Sequence, residues 1–581
     1  MAGTVKREDQ SVRARWSFLL ALAVGFGGWG TPVAAVPLGS TTPSLYSIAK
    51  GEVDFSLYDN SRNPGRISAV AMGDVNGDGL ADLVLGAPYA YGFQATGSAV
   101  GMIYVIYGGF TPASVPRLDL TLRTSATVDA AISSIAFPGG APPGVAGFQL
   151  QGEFGLMRFG NAVACGDFDG DGIDDIAVSA PRRLGASVAG RVYIIRGDPI
   201  KRYMTDLVAL RVFERLVTVI GPNRPTDSSF GDRLLFTDID NDGRDDLVIG
   251  SPNAGPGGEV FIDYGRDFSS LTFSVDDVPT TDPSLTVIQG EAPGDRLGAA
   301  LGAGDLSGDG RADLAIGAPL NDYGGRDAGK VYVFFGADRN TTLGLPLPTR
   351  VPLAARLPAV AIVGTGPNEA LGWAIAIGDF DGNGLSDLAI GAPYASPSGM
   401  NAAGKTYVLY NDATMTTGPQ TRVLDEFTPG VARFGGPTAG AHLGASLALG
   451  RFTEDPIDDL FMGVPEVVNQ SAGRTVTGAV YAVLGRRVSE RPEGLIILNE
   501  GFGGVAADLT ILAGDLGDRL GFNMALSQFD GLRGLDLLVC GNPTSEGRSG
   551  SAWLFLGHTP TIPIPPPPIF NAARSSWALY P

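Results

Sequence analysis

Residues 166–181 read GDFDGDGIDDIAVSAP, and they place regularly spaced carboxylates directly before a run of apolar residues. Asp167, Asp169, Asp171 and Asp175 fall within nine residues of a glycine-rich segment. Alternate residues of a tight loop point to the same side, so these carboxylates are expected to converge on one centre. Like charges held so close repel each other strongly unless a cation lies between them.

The same pattern recurs along the chain and defines a repeat architecture. Four other copies keep the spacing: GDVNGDGLADLVLGAP at 73, TDIDNDGRDDLVIGSP at 237, GDLSGDGRADLAIGAP at 304 and GDFDGNGLSDLAIGAP at 378. Two degenerate copies follow, GRFTEDPIDDLFMGVP at 450 and SQFDGLRGLDLLVCGNP at 527. Successive copies lie 67 to 93 residues apart, so one repeat is a unit of roughly 70 residues.

Each copy is embedded in a set of short predicted strands. A segment such as LGAALGAG at 297 precedes the acidic loop, and the apolar run follows it. A glycine then opens an alternating strand, as in GRVYIIRG at 190, and a fourth strand such as LTVIQG at 285 precedes the next copy. This order predicts an all-β fold, a seven-bladed β-propeller of four-stranded antiparallel blades. A linear β-solenoid is the alternative, although these units are long for solenoid coils.

The composition agrees with a folded, glycine-rich β-protein. The chain has 581 residues, of which 84 are glycine and 44% are hydrophobic, which argues against disorder. Its formal net charge of −20 argues against nucleic acid as a partner. The only cysteines, Cys165 and Cys540, replace hydrophobic residues in predicted strands, so we expect buried thiols.

The repeats resemble FG-GAP repeats, which form the seven-bladed propeller of integrin α-subunits and occur in related bacterial secreted proteins. RFGNAV at 158 and SFGDRL at 229 match the FG half of the motif, and the Gly-Ala-Pro endings match the other half. The resemblance extends over residues 47–558, which we take as the propeller domain. It implies the fold and Ca²⁺ binding, and more weakly adhesion, because one fold hosts many functions.

The acidic loops are the candidate metal sites. Ca²⁺ takes six to eight oxygen ligands in flexible geometry, which side chains one, three, five and nine and the seventh backbone carbonyl would supply. The predicted sets are Asp74, Asn76, Asp78, Leu80 and Asp82; Asp167, Asp169, Asp171, Ile173 and Asp175; Asp238, Asp240, Asp242, Arg244 and Asp246; Asp305, Ser307, Asp309, Arg311 and Asp313; and Asp379, Asp381, Asn383, Leu385 and Asp387. An ordinary Asp-Gly hairpin turn is the alternative interpretation.

The two degenerate copies lack this ligand set, so about five Ca²⁺ ions per chain are expected. Arg451 takes the first ligand position of the sixth copy, and Pro456 replaces its turn glycine. Leu532 replaces the fifth ligand of the seventh copy. We expect Arg451 to pair with Asp455 or Asp459 as an internal substitute for the ion.

Both ends of the chain differ from the repeats. Basic residues precede the apolar run Phe18–Val24, and small residues end at Ala35. Residues 1–35 are therefore predicted to be a signal peptide, with an uncleaved anchor as the alternative. Residues 36–46 are assigned as a linker and residues 559–581 as a proline-rich tail. No later segment is long and apolar enough for a membrane span, so a secreted or cell-surface chain is expected.

No catalytic constellation is evident in the sequence. The two histidines, His442 and His558, are scattered, which supports neither a zinc site nor a Ser-His-Asp triad. We expect a non-catalytic extracellular binding or cell-adhesion module whose partner is an unknown extracellular protein or glycan. A propeller-type enzyme, phospholipase-like or polysaccharide-degrading, and a carbohydrate-binding lectin are the alternatives. The tripeptide Arg196-Gly197-Asp198 is interpreted as structural, because Gly197 is the repeat glycine that ends a strand.

The candidate ligand surface lies on the face opposite the acidic loops. If those loops join the first and second strands, the loops after the second strands line the other face. Their aromatic side chains would form a binding surface, since aromatic residues with polar neighbours are typical interface anchors. These residues are Tyr89, Tyr91, Phe93, Tyr323 and Tyr394. Packing within the loops is the alternative role.

One strand-like segment has no place in the seven repeats. GEVDFSLYD at 51–59 precedes the first repeat, while the seventh repeat has no fourth strand of its own. We predict that this segment pairs onto the outer edge of the seventh blade. Such a pairing would cover an exposed edge and close the ring.

Overall fold

The computed structural model describes twenty stretches of the chain, all within the compact unit Pro37–Pro581. They are residues 44–47, 55–58, 67–90, 99–108, 117–119, 147–182, 189–198, 215–223, 229–267, 272–277, 284–336, 350–353, 358–412, 415, 420–425, 428–471, 474–498, 507–513, 519–541 and 551–557. The predicted signal peptide and proline-rich tail lie outside the described residues, so both assignments stay predictions.

The regular secondary structure of the described residues is almost entirely β-strand. In the first half these are β1 Ser44–Ser47, β2 Phe55–Tyr58, β3 Ala69–Gly73, β4 Asp82–Ala87, β5 Met102–Ile106, β6 Arg117–Asp119, β7 Gly147–Gln151, β8 Val163–Gly166, β9 Asp175–Ala180, β10 Arg191–Ile195, β11 Leu216–Ile220, β12 Arg233–Thr237, β13 Asp246–Ser251, β14 Glu259–Asp263, β15 Thr272–Ser274 and β16 Leu285–Gln289. In the second half they are β17 Ala300–Gly304, β18 Asp313–Ala318, β19 Lys330–Phe334, β20 Arg350–Pro352, β21 Val360–Gly364, β22 Ala374–Gly378, β23 Asp387–Ala392, β24 Lys405–Leu409, β25 Gln420–Leu424, β26 Val431–Gly435, β27 Leu447–Gly450, β28 Asp459–Ser471, β29 Arg474–Val483, β30 Gly494–Ile497, β31 Leu509–Leu512, β32 Leu520–Ser527, β33 Asp536–Gly541 and β34 Ser551–Phe555.

Helical structure in these stretches is limited to a 3₁₀ turn at Pro397–Gly399. None of the helical residues described forms a helix long and apolar enough to cross a membrane.

Each blade has four antiparallel strands, which come from one repeat in six blades, whereas β2 supplies the fourth strand of the seventh. In the second repeat the order is β8, β9, β10, β11, with Tyr193 opposite both Val178 and Thr218. The second strand is six residues long and fully buried in six of the repeats, whereas in the sixth repeat it is the longer strand β28. Such continuous burial is expected where a sheet is covered on both faces, and Val84 and Val178 do lie in one core cluster between adjacent sheets.

The first strands of the repeats lie next to each other in a closed order. Contacts run from β3 to β8, β12, β17, β22, β27 and β32, and from β32 back to β3. Two of the units share a ten-stranded sheet, which is joined through the single pair Gly478↔Leu520. Single bridges such as Gly404↔Leu443 join other pairs of neighbouring repeats at the position that corresponds to Gly478↔Leu520. The all-β propeller is confirmed, and this closed order supports the predicted count of seven blades.

The chain ends are joined through strand pairing. β2 is antiparallel to β34, with Phe55 opposite Leu554, as predicted for the segment at 51–59. β1 pairs in parallel with β31, the fourth strand of the sixth blade. This fifth, parallel strand was not predicted, yet it recurs: β15 pairs with β11, β20 with β16, β25 with β21, β30 with β26 and β6 with β2.

Deleting residues 44–58 should therefore destabilise the whole ring, because it removes β1 and β2 and exposes two outer edges. We expect the melting temperature to fall by at least about 5 °C. Differential scanning calorimetry measures this, and a chain shortened by residues 570–581 is the control. An unchanged melting temperature would show that the β2–β34 pairing does not hold the ring.

Candidate functional site: the acidic loops and the channel mouth

The five predicted loops connect the first and second strands of their sheets. In the second repeat, Asp167 Oδ2 accepts a hydrogen bond from the Gly172 N–H at 2.9 Å. Asp171 Oδ1 accepts one from the Ile173 N–H at 3.0 Å. These bonds fold the loop back on itself, so that its carboxylates lie close together.

The glycine at the sixth position sets the shape of the loop. Its φ lies between 86° and 92° in all five predicted sites, as at Gly172 and Gly243. A side chain is strained in this region, and proline is fixed near −65°. Pro456 at this position in the sixth repeat therefore excludes the same turn.

Three of the five loops bring three carboxylates together. One oxygen from each member lies within 4.8 Å of the others in each set. The sets are Asp167, Asp169 and Asp171; Asp238, Asp240 and Asp246; and Asp379, Asp381 and Asp387. In the first and fourth loops, Asn76 and Ser307 take the third position, which leaves fewer carboxylates to converge.

The chemistry of these loops fits a hard divalent cation. Their side-chain donors are carboxylate, amide and hydroxyl oxygens, which suit Ca²⁺ or Mg²⁺. Asn76 Oδ1 is buried and accepts no hydrogen bond within the described residues. Burial, followed by repulsion from Asp240 and Asp381 respectively, raises the pKa of Asp246 and Asp387 to about 8. A cation among these oxygens would favour their ionised form.

The ninth-position aspartate has a second role, because backbone N–H groups bind both of its oxygens. Asp175 accepts from Phe168 at 3.1 Å and from Gly197 at 2.8 Å. The degenerate repeats keep the arrangement, with Asp459 accepting from Gly485 at 3.0 Å and Asp536 from Gly557 at 2.9 Å. This carboxylate therefore ties the loop to the end of the third strand whether or not a metal set is present.

An aspartate at the eighth position links neighbouring repeats, a role that the sequence analysis missed. Asp174 Oδ2 accepts the Asp74 N–H of the preceding repeat at 2.8 Å. The same contact joins Asp245 to the Asp167 N–H at 2.9 Å and Asp458 to the Asp379 N–H at 2.8 Å. These three copies have two consecutive aspartates at the eighth and ninth loop positions, and this pair was the sequence signal from which the role could have been predicted.

Arginine side chains approach two of the acidic loops. Arg196 lies 2.9 Å from both Asp169 Oδ2 and Asp171 Oδ2. Asp198 pairs with Arg215 at 2.6 Å, so the charged ends of Arg196-Gly197-Asp198 have partners within the fold. This confirms the structural interpretation of that tripeptide.

In the fifth repeat the arginine comes from the next repeat along the chain. Arg491 lies 2.6 Å from Asp381 Oδ2 and 2.8 Å from Asp412 Oδ1. In the sixth repeat, Arg451 Nε lies 3.7 Å from Asp458 Oδ1. The expected partners, Asp455 and Asp459, were wrong, because Asp455 binds the Ile457 N–H and Asp459 binds Thr453 and Gly485.

The candidate ligand surface lies near a cavity of about 660 Å³ at the opposite ends of the first strands. Tyr89 and Tyr394 line the cavity and are 39% and 41% exposed. Tyr323 is 69% exposed and is not one of the cavity residues. Tyr91 and Phe93 lie outside the described residues. Of the three predicted aromatic residues that the structure describes, two line the cavity.

Neither cysteine forms a disulfide. Cys540 is buried, as expected, whereas Cys165 is only partly buried.

The FG-GAP repeat model matches five segments of the chain, residues 67–106, 159–195, 230–263, 297–334 and 371–409. Each segment contains one of the five predicted acidic loops. The two degenerate copies lie outside the matched segments, in agreement with their altered loop residues.

The chain is similar to parts of longer proteins. It is 31% identical to integrin alpha pat-2 of Caenorhabditis briggsae, over 41% of this chain and 18% of that protein. It is 31% identical to integrin alpha-PS2 of Drosophila melanogaster, over 40% and 15%. It is 32% identical to phosphatidylinositol-glycan-specific phospholipase D of Mus musculus, over 38% and 22%. The matched region thus spans less than a quarter of each relative.

The ninth-position bond can be tested in a repeat that lacks the cation ligand set. Asp459→Asn removes one carboxylate acceptor and leaves a buried N–H group without its partner. We expect this to cost about 1–3 kcal/mol of stability, equally with Ca²⁺ and with EDTA. The control is Asp455→Asn. Asp455 is exposed, and the asparagine that replaces it keeps an oxygen that can accept the Ile457 N–H. Equal unfolding midpoints in urea for the two variants would contradict the structural role of Asp459.

Proposed function

This chain is an FG-GAP repeat protein similar to integrin α-subunits, and we propose that it is a secreted, non-catalytic binding module whose acidic loops hold Ca²⁺. The observation that carries the proposal is the repeated loop itself. Five copies present the same oxygen-rich positions, and three of them cluster carboxylates within 4.8 Å of one another. The cavity lies at the ends of the first strands opposite the acidic loops, and we propose this face as the ligand-binding face.

Within each loop the residues have separate roles. The side chains at positions one, three and five, such as Asp238, Asp240 and Asp242, would hold the cation, and a carbonyl such as that of Arg244 would complete the set. The cation supplies positive charge among carboxylates that otherwise repel each other. The Asp246 carboxylate would also bind the cation. The hydrogen bonds that it accepts from the Ile239 and Gly265 N–H groups hold the loop to the end of the third strand.

The proposal also concerns stability. The ligand oxygens come together only in the folded loop, so the cation binds the folded state and stabilises it by mass action. The five sets contain 17 aspartates. Five divalent ions would offset half of the formal net charge of −20. Much of the acidity of the chain is therefore explained by metal binding rather than by a basic partner.

The similarity to a phospholipase D motivates an enzymatic alternative. This chain covers 22% of that protein, so the similarity does not transfer its activity. Among the described residues the single histidine, His442, contacts the Tyr394 ring. A binding role on the cavity face agrees better with these contacts than does acid–base catalysis.

The binding function predicts cation-dependent capture. We expect the immobilised full chain to retain cell-surface or matrix proteins or glycans from a detergent extract in Ca²⁺ buffer, and EDTA to release them. Mass spectrometry and glycan staining identify what is retained. Absence of capture would contradict the binding role, and release of a glycosylphosphatidylinositol-anchored protein from vesicles would contradict the non-catalytic assignment.

The metal proposal predicts about five tightly bound Ca²⁺ ions per chain. The double variant Asp167→Ala with Asp171→Ala should lose one ion, and EDTA should lower the melting temperature of the wild type. Plasma emission spectrometry of the dialysed protein measures the ratio. The control is Asp530→Ala in the seventh repeat, which should leave the ratio unchanged. Seven bound ions, or none, would contradict the assignment.

A further inference from the structure

The cavity of about 660 Å³ at the ends of the first strands opposite the acidic loops is called the channel mouth from here on. Every repeat contributes one apolar side chain to its floor. These side chains come from corresponding positions in or next to the seven first strands. They are Val70, Val163, Leu234, Leu301, Ile375, Leu447 and Met524. The floor is therefore uniform around the ring, and the differences between the repeats appear above it.

The rim of the cavity combines polar and aromatic side chains that differ from repeat to repeat. Two residues before the floor position stand Ser68, Asn161 and Asp232 in the first three repeats. The corresponding positions in the fifth and seventh repeats are Trp373 and Phe522. Since consecutive repeats are neighbours in the ring, the polar residues lie together on one side. Tyr89 of the first repeat and Asn523 of the seventh also line the cavity, so a ligand at this mouth would meet both hydrogen-bonding groups and aromatic surface.

Two aromatic rings of the rim, those of Trp373 and Tyr394, are held in place by ring contacts. Trp373 and Tyr394 meet edge to face with their ring centres 5.4 Å apart, and Tyr394 meets His442 at 5.1 Å. Tyr394 remains 41% exposed and Phe522 39%. Rings fixed in this way can accept a ligand with little loss of side-chain entropy.

The charges around the mouth are largely balanced. Arg519 forms an ion pair with Glu466, and Arg233 lies 3.9 Å from Asp232. Burial and the nearby Arg519 lower the pKa of His442, so its imidazole is neutral at pH 7. A strongly charged ligand would therefore find no concentrated countercharge here.

We propose that the channel mouth binds a neutral oligosaccharide. A sugar ring has apolar C–H faces and a hydroxyl-bearing edge, which match the aromatic and the polar side chains of this rim. The C–H faces would stack on Trp373 and Tyr394, and the hydroxyl groups would bond to Asn161, Asp232 and Asn523. The cavity of about 660 Å³ lies within the range of small-molecule sites and has room for more than one sugar ring.

This assignment rests on the proposed binding function and names its ligand class. The test uses the full Ca²⁺-loaded chain with cellotriose, chitotriose and mannotriose, each titrated by calorimetry and by saturation-transfer NMR. We expect at least one trisaccharide to bind. Trp373→Ala and Tyr394→Ala should each weaken that binding by about tenfold or more, whereas Tyr394→Phe should retain it because the ring remains.

The matched control is Leu495→Ala, which removes a 42% exposed apolar side chain from the outer strand β30, away from the channel. Its affinity should equal that of the wild type, and the melting temperatures of all variants show whether they are folded. Failure of all three trisaccharides to bind, or binding that the cavity variants leave unchanged, would overturn the proposal. If Ca²⁺-dependent capture from extracts then persists, the binding module stands and only the oligosaccharide site fails.

Discussion

The buried carboxylate that ends each acidic loop is the interaction on which the rest of the structure depends. In the second repeat it is Asp175, which holds the Phe168 N–H at the start of the loop and the Gly197 N–H at the end of the third strand. One side chain thus fixes three neighbouring parts of a blade. Because these bonds require no metal, the degenerate repeats keep Asp459 and Asp536 although their other loop positions have changed.

A crowded carboxylate set then needs a positive partner, and the chain shows more than one solution. In the third loop, Asp238, Asp240 and Asp246 bring oxygens within 4.8 Å of one another, and a cation would lie between them. In the second and fifth loops, Arg196 and Arg491 already approach the third-position aspartate. In the sixth repeat, Arg451 forms an ion pair with the eighth-position residue Asp458, which also accepts the Asp379 N–H of the preceding repeat. A cation bound in the second or the fifth loop would therefore compete with Arg196 or Arg491 for the oxygens of the third-position aspartate.

Much of this structure could be predicted from the sequence because its signals are local and repeated. The loop spacing, the turn glycine and the alternating strands are each visible in a few residues, and β2 was predicted from such a pattern. The parallel fifth strands were not, since segments such as Arg350–Pro352 are short and pair through backbone groups. The contact between Arg491 and Asp381 joins residues 110 positions apart, and the cavity rim combines residues from separate repeats. Such contacts depend on how the repeats pack against one another, which no single segment encodes.

Hydrogen exchange of the loop amides, measured with Ca²⁺ and with EDTA, tests the central claim most directly. The account predicts that Ca²⁺ slows exchange in residues 74–82, 167–175, 238–246, 305–313 and 379–387. It predicts no direct protection in residues 451–459 and 528–536, where the ninth-position carboxylate is bound but the ligand set is missing. Equal protection of all seven loops, or of none, would contradict the separation of the structural carboxylate from the cation site.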